Sequence, residues 1–240
     1  MSFIKLNNKL ISLGGKLLTI PSNIVTDGLV LHLDAGNSSS YPGSGSIWYD
    51  ISGSGNNGTL ISSPLYSTGT DANFNFNGSS QRVNLGQIFN YTTSNFTFSC
   101  WVNFNSLSTN QLNQGPIIFF KGAYTGNGYY FQMSYNGIGG TFVSGTIGTI
   151  GLFSVLLNTW YNISITKNST SVNVYVNGIN VTSTHGTHNI TSSSYDFTLA
   201  SYNTTQILMN GKISNFMNYN RNLTPSEIQH NYNALKNRYL

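Results

Sequence analysis

Charge is what this sequence has least of. Of its 240 residues, ten are Lys or Arg and six are Asp or Glu, giving a formal net charge of +4. Helical surfaces are normally solvated by rows of charged side chains, so a helical protein is not expected. Nor does the charge suit nucleic acid, whose binding draws on clustered cations that release counterions. The sole basic cluster is Lys5, Lys9 and Lys16, all in the first 16 residues. Cysteine is represented once, by Cys100, which excludes an intrachain disulfide. Apolar runs fall short of the ~20 residues that cross a bilayer, so no membrane insertion is expected. The apolar N-terminus is broken by lysines and lacks the uninterrupted core of a signal peptide. Synthesis in a cytoplasm follows as an expectation.

What is abundant is uncharged polarity. Asn (34), Ser (32) and Thr (24) together exceed a third of the chain, and aromatic residues make up 13%. Polar turn formers between aromatic-rich runs describe β-structure, and that much aromatic surface argues against disorder. The length suits one all-β domain with short additions, large enough to fold without a metal or disulfide staple.

Residues 1–23 are distinct. Leu6-Asn7-Asn8-Lys9-Leu10-Ile11-Ser12 is echoed by Leu13-Gly14-Gly15-Lys16-Leu17-Leu18-Thr19. Asn-Asn and Gly-Gly both accept the positive φ angles of tight hairpins, so three short strands are expected at 3–6, 9–13 and 16–20. A meander this small is marginal alone and must pack on its own domain, a copy of itself or another protein. Phe3, Ile4, Leu6, Leu10, Ile11, Leu13, Leu17 and Leu18 are its apolar candidates for anchoring or homo-oligomerisation, with Pro21-Ser22-Asn23 as a linker.

Residues 24–240 form the main domain. Strand patterns recur at 28–34, 73–78, 96–104, 117–121, 129–135, 147–153, 160–167, 171–176, 195–201 and 212–219, with Asn177-Gly178 marking a hairpin into Ile179 and Val181. The period of two puts Phe96, Phe98, Cys100, Val102 and Phe104 on one face. Cys100 therefore reads as a small buried hydrophobe rather than a reactive thiol. A helix is expected at about 225–237. Thr224-Pro225-Ser226-Glu227 is a capping box with Pro at the first helical position, and Ile228, Tyr232 and Leu235 share a stripe. Many strands and one terminal helix predict an all-β, two-sheet antiparallel jelly-roll sandwich.

Specific strings carry a resemblance. Leu29-Val30-Leu31-His32-Leu33-Asp34-Ala35-Gly36-Asn37, Trp48-Tyr49-Asp50-Ile51-Ser52-Gly53, Val174-Tyr175-Val176-Asn177-Gly178 and Tyr219-Asn220-Arg221-Asn222-Leu223-Thr224-Pro225-Ser226-Glu227-Ile228 stand in order. Together they resemble laminin-G-like jelly rolls of the concanavalin A-like lectin/glucanase superfamily, over about residues 27–239. The Leu-Asp-Ala-Gly-Asn form and the closing string look most like copies in bacteriophage structural proteins. The resemblance implies a non-enzymatic virion protein made in the host cytoplasm and displayed on the particle as a head decoration, head fibre or tail adhesin subunit. The arm would contact other virion proteins, and the domain would face host or environmental glycans. The alternative is a lectin module not tied to a virion.

Glycosidases of this superfamily need two carboxylates flanking the scissile bond. This chain has one Glu, Glu227 in the helix cap, and no close pair among Asp27, Asp34, Asp50, Asp71 and Asp196. No catalytic residue is expected. His32 and Asp34 share a strand face, for which a structural hydrogen bond is the simpler role. His185 and His188 fall in a Thr- and Gly-containing loop, where solvated side chains are expected in preference to a metal site. Where this family binds a metal it is calcium, and Asp50 with Ser52 and Asn56 is the local candidate. The competing role for Asp50 is to bond the backbone N–H groups of its own turn. No cofactor is expected. Sugar recognition combines aromatic faces with amides and hydroxyls on loops. That chemistry occurs at Tyr124, Asn127, Tyr129 and Tyr130, and at Tyr41.

Overall fold

A computed structural model describes residues 23–109, 114–122, 126–202 and 207–240, together with the backbone of three short strands nearer the N-terminus. Those three, Ile4–Leu6, Lys9–Ile11 and Leu17–Thr19, form an antiparallel sheet of their own, with Leu10 opposite Lys5 on one side and Leu18 on the other. The expected anchoring residues Phe3 and Leu13 lie outside the described residues.

The domain is built of two antiparallel sheets. One has eight strands, in the spatial order Ile179–Asn180, Ser171–Val176, Trp160–Asn168, Phe96–Phe104, Asn210–Tyr219, Asn73–Asn77, Leu65–Ser67. Its eighth strand, Leu29–Asp34, shares one edge of Asn210–Tyr219 with Asn73–Asn77, each taking half its length. The other sheet has nine strands: Thr182–Thr184, Ile147–Ser154, Ile138–Ser144, Gly128–Met133, Ile117–Gly122, Thr198–Leu199, Arg82–Asn84, Gly58–Ile61 and Ile47–Trp48.

Between the sheets lies the main core. Phe96, Phe98, Cys100, Val102 and Phe104 enter it from the central strand, as their alternation predicts. They meet Phe119, Tyr129, Phe131, Phe142 and Phe197 from the opposite sheet, and Phe98 has ring neighbours at 4.7 Å (Phe119) and 5.4 Å (Phe197). Full burial of a side chain this size stabilises by about 2–3 kcal/mol, so this stack needs no staple. Cys100 is buried here, and burial pushes its thiol pKa up, which removes its nucleophilic form.

The central strand is buried on its second face too. The helix α1, Pro225–Leu235, covers that face. Trp101 stacks on Tyr239 at 4.1 Å and on Tyr232 at 5.8 Å, while Ile228 and Leu235 pack with Tyr175, Met217 and Tyr219. The helix starts at the expected capping box. Glu227 N–H donates to Thr224 Oγ1 at 3.3 Å, and Thr224 N–H donates to Glu227 Oε2 at 2.8 Å.

The strand pattern at 195–201 shortens to Thr198–Leu199, and Ile138–Ser144 is a strand the sequence conceals. It begins Ile-Gly-Gly, with Gly139 at φ +78°, a conformation that disguises a strand start. A Cβ on Gly139 would sit 2.2 Å from the Gly151 carbonyl oxygen, so the close approach of the neighbouring strand also requires glycine.

Candidate functional site

The candidate site lies on the face of the nine-stranded sheet turned away from the core. Directly paired residues in an antiparallel sheet share a face. The register therefore runs one transverse row across eight strands: Ile47, Thr59, Asn84, Thr198, Phe120, Tyr130, Val143 and Gly148. A second row places Gln132 between Ile117 and Thr141. Alternation forces this: Tyr129, Phe131 and Met133 fill the core, so Tyr130 and Gln132 face the other way.

Among the described residues, two cavities open on this face. The larger, about 430 Å³, is lined by Tyr130, Gln132, Thr141, Val143 and the hairpin Gly145-Thr146-Ile147-Gly148. Gln132 Nε2 donates to the Gly115 carbonyl at 2.9 Å, which fixes the amide and leaves its oxygen as an acceptor. No lining side chain is ionisable at neutral pH. The smaller cavity, about 250 Å³, is lined by Asn84, Gln87, Phe120, Ser194, Tyr195, Asp196 and Thr198. Asp196 accepts from Gln87 Nε2 at 2.8 Å and from Asn84 Nδ2 at 3.0 Å, so its carboxylate is held by two amides. Tyr195 is 40% exposed and meets Phe120 edge-on at 5.7 Å. Beneath it, the fully buried Lys121 donates from Nζ to the Tyr195 carbonyl at 2.6 Å. Burial lowers the Lys121 pKa, and the negative charge of Asp196 works against that shift.

Between the cavities stand Phe120 and Tyr130, with the Tyr202 ring 4.5 Å from the first and 5.9 Å from the second. Phe120 and Tyr130 are themselves buried, packed with Ile117 and Ile207, so the surface presents fixed amides, hydroxyls, one restrained carboxylate and the exposed ring of Tyr195. It offers hydrogen bonds and, at Tyr195, ring contact.

The sequence-predicted residues divide. Tyr130 lines the larger cavity from a buried position, 2% exposed. Asn127 is exposed, accepts from Thr191 Oγ1 at 2.9 Å and does not line it. Tyr124 lies outside the described residues. Two expectations need correction. Tyr129 points into the core, 1% exposed, with its hydroxyl donating to the Phe89 carbonyl at 2.6 Å. Tyr41 is 6% exposed, edge-on to Phe74 at 4.7 Å, with its hydroxyl on the Gly45 carbonyl. Neither ring face is open to a sugar. Period two separates Tyr129 from Tyr130, a distinction the Tyr-Tyr pair hides unless the strand phase is known. Gln132 and Thr141 follow from that same phase. Tyr195 and Asp196 left no motif; only the pairing of Thr198 with Phe120 and Asn84 brings them to this face.

Asp50 does what its turn requires. Its oxygens accept from His32 N–H (2.9 Å), Ser52 N–H (2.8 Å), Ser52 Oγ (2.9 Å) and Asn56 N–H (3.0 Å). All four of these hydrogen bonds lie within or beside its own turn, and no group of three His, Cys, Asp or Glu side chains that could hold a metal occurs among the described residues. His32 lies 3.0 Å from Asn215 Nδ2 through Nε2, while Asp34 pairs with Arg238, so the two make no dyad. Glu227 is held by Arg221 at 2.6 and 3.0 Å and by the helix cap, which brings its pKa down to about 2. His188 corrects another expectation. It is 1% exposed, not solvated, with Nδ1 2.8 Å from Ser144 Oγ and Nε2 2.8 Å from Thr149 Oγ1.

Solved structures share the fold. Domain 4 of AbnA, a GH43 extracellular arabinanase from Geobacillus stearothermophilus solved with arabinotriose, superposes with a TM-score of 0.60 at 20% identity, covering 84% of this chain and 96% of that one. Trypanosoma rangeli sialidase with the inhibitor DANA gives 0.64 at 18% identity, over 90% of this chain and 34% of the sialidase. A structure of botulinum neurotoxin type C, described as entering cells through two ganglioside molecules, gives 0.65 at 17%, over 88% and 52%. The chain thus spans about a third of the sialidase and half of the toxin chain. No curated protein matches the sequence. The family model described as the concanavalin A-like lectin/glucanases superfamily, in its laminin G form, matches residues 76–229. That is more than half of the chain, and the protein belongs to this family.

Proposed function

We propose that this protein is a non-catalytic carbohydrate-binding jelly roll that seats an oligosaccharide across the outer face of the nine-stranded sheet. One observation carries the reading. Two cavities lie on a single transverse row of that face, one on each side of Phe120, Tyr130 and Tyr202. Their linings supply amides, hydroxyls, the Asp196 carboxylate, the aliphatic Val143 and Ile147 and the exposed Tyr195 ring, groups that can match a sugar's hydroxyls and C–H faces. Two cavities suit at least two sugar units. The arabinotriose of the arabinanase domain and the gangliosides of the neurotoxin support a sugar as ligand on this fold. A binding role agrees with a single glutamate already committed to Arg221.

The setting we favour is a bacteriophage virion, with the domain displayed as a head decoration, head fibre or tail adhesin subunit. Residues 1–23 would join other virion proteins or further copies of the chain. Support comes from the closing Tyr219–Ile228 string and from a sheet formed by the arm's own strands, whose edges can pair with a partner.

A glycan array probed with the full chain, with and without calcium, tests the first reading. Binding to one glycan class, weakened by Tyr195→Ala, is expected. No binding to any glycan, or binding indifferent to both cavities, overturns it. Light scattering of the full chain and of a chain lacking residues 1–21 tests the second. Loss of oligomers on truncation is expected, and an unchanged mass contradicts the assembly role.

A further inference from the structure

A third cavity, about 200 Å³, lies at one end of the sandwich, away from the face described above. It is lined by Thr92, Thr93, Lys167, Ser169, Thr170, His188, Asn189 and Ile190. Its position follows from strand phase. Tyr161, Ile163 and Ile165 point into the core from the strand Trp160–Asn168, so Lys167 is the next residue on the core face. From the opposite sheet, Ser144 and Thr149 hold His188 at the same end. The apolar core therefore ends in an ammonium and an imidazole, roofed by hydroxyl side chains.

Lys167 is 1% exposed, yet no Asp or Glu oxygen comes within 4.0 Å of it among the described residues. Among the described residues its one acceptor is the Ser94 carbonyl at 3.3 Å, longer than an ordinary N–H···O bond, and the Phe96 ring centroid is 6.0 Å from Nζ. An ammonium has three donors, and a buried cation is normally paired. The other buried lysine, Lys121, likewise has no carboxylate oxygen within 4.0 Å among the described residues, but its carbonyl contact is shorter, 2.6 Å, and the charge of Asp196 acts on it. Burial lowers the Lys167 pKa, in keeping with a charge that lacks compensation.

We infer that this cavity binds a single oxyanion, a carboxylate or sulfate group, through Lys167 Nζ with the hydroxyls of Thr92, Thr93, Ser169 and Thr170 around it. The volume admits one such group with part of its carrier, either a free anion or an acidic substituent of a glycan. This inference does not depend on the sugar-binding face.

Titration of the full chain with sodium acetate, sodium sulfate, sodium glucuronate and glucose, at constant ionic strength and followed by the His188 imidazole resonances, tests it. Acetate or sulfate is expected to shift those resonances saturably, and glucose to leave them unmoved. Glucuronate acting like acetate would identify a glycan substituent as a fitting source; acetate or sulfate acting alone would identify a free anion. Lys167→Met keeps the stem and removes the charge, so it should fold and weaken binding at least about tenfold. Should that variant fail to fold, Thr93→Trp, at an exposed loop position, fills the cavity and should abolish the shift. Anions without effect on His188 overturn the inference. So does unchanged affinity in the variant that folds.

Discussion

Arg238 grips Asp34 through two parallel hydrogen bonds of 2.8 Å, from a position 204 residues further along the chain. The pair clamps the C-terminal segment onto the strand Leu29–Asp34. It also explains the glycine two residues on. A Cβ on Gly36 would lie 2.3 Å from Arg238 Nη2, while Gly36 N–H donates to Asp34 Oδ1. Both side chains are mostly buried, at 24% and 11% exposure, so removing one leaves the other charge poorly solvated. Arg238→Ala should cost about 3 kcal/mol, the low end for a buried pair because both groups keep some exposure. Arg238→Lys should recover little of it, because an ammonium cannot reproduce the paired geometry. Urea denaturation midpoints of the three proteins check this.

Glu227 makes a separate contribution with its own pH window. Arg221 and the Thr224 cap hold its pKa at about 2, below the ordinary value of 4.5. The folded state therefore prefers the carboxylate, and this stabilisation is complete above about pH 4.5. It fades as the pH falls toward 2. The pair is partly exposed, and solvent screening limits the effect to about 1 kcal/mol. Thermal melts of Glu227→Gln should show lower stability at pH 6 and a shallower loss from pH 4.5 downward.

His188 acts in a higher window. Its pKa is lowered to about 4, first by burial and then by Lys167, against 6.5 in an unfolded chain. Between those values the unfolded chain binds the proton and the folded one does not, so stability falls as pH drops from 6.5 to 4. Below 4 the loss stops growing. The full effect is up to about 3 kcal/mol. His32, also lowered by burial, adds loss below the same upper limit. His188→Gln should flatten part of the slope in melts between pH 7 and 4, while His32 retains the remainder.

Much of the fold could be read in the sequence, because its longest strands alternate cleanly. Phe96–Phe104 declares both its length and its inner face, and Thr224 to Glu227 declares the helix start. Short strands such as Ile47–Trp48 and Arg82–Asn84 are too brief to show a period, and Ile138–Ser144 opens on glycines. The site was less legible for a physical reason. Its residues come from strands that are neighbours in the sheet and distant in sequence, such as Asn84 beside Thr198 and Thr198 beside Phe120. Tyrosine on a turn-rich stretch signals sugar chemistry, yet Tyr41 and Tyr129 serve the core while Tyr195, outside any motif, is the exposed ring among the residues lining the two cavities. His188 misleads in the same way: its loop is polar, but the hydroxyls of Ser144 and Thr149 draw it inside.

The central claim is that an oligosaccharide lies across the outer face of the nine-stranded sheet. Calorimetric titration of the best array glycan into the wild type, Tyr195→Ala and Thr146→Trp tests it most directly. Thr146 is exposed at the larger cavity and Tyr195 at the smaller, so both variants should fold normally. Each is predicted to weaken binding by at least about tenfold, equal to 1.4 kcal/mol. Wild-type affinity in both variants, with their melting temperatures unchanged, would contradict the account.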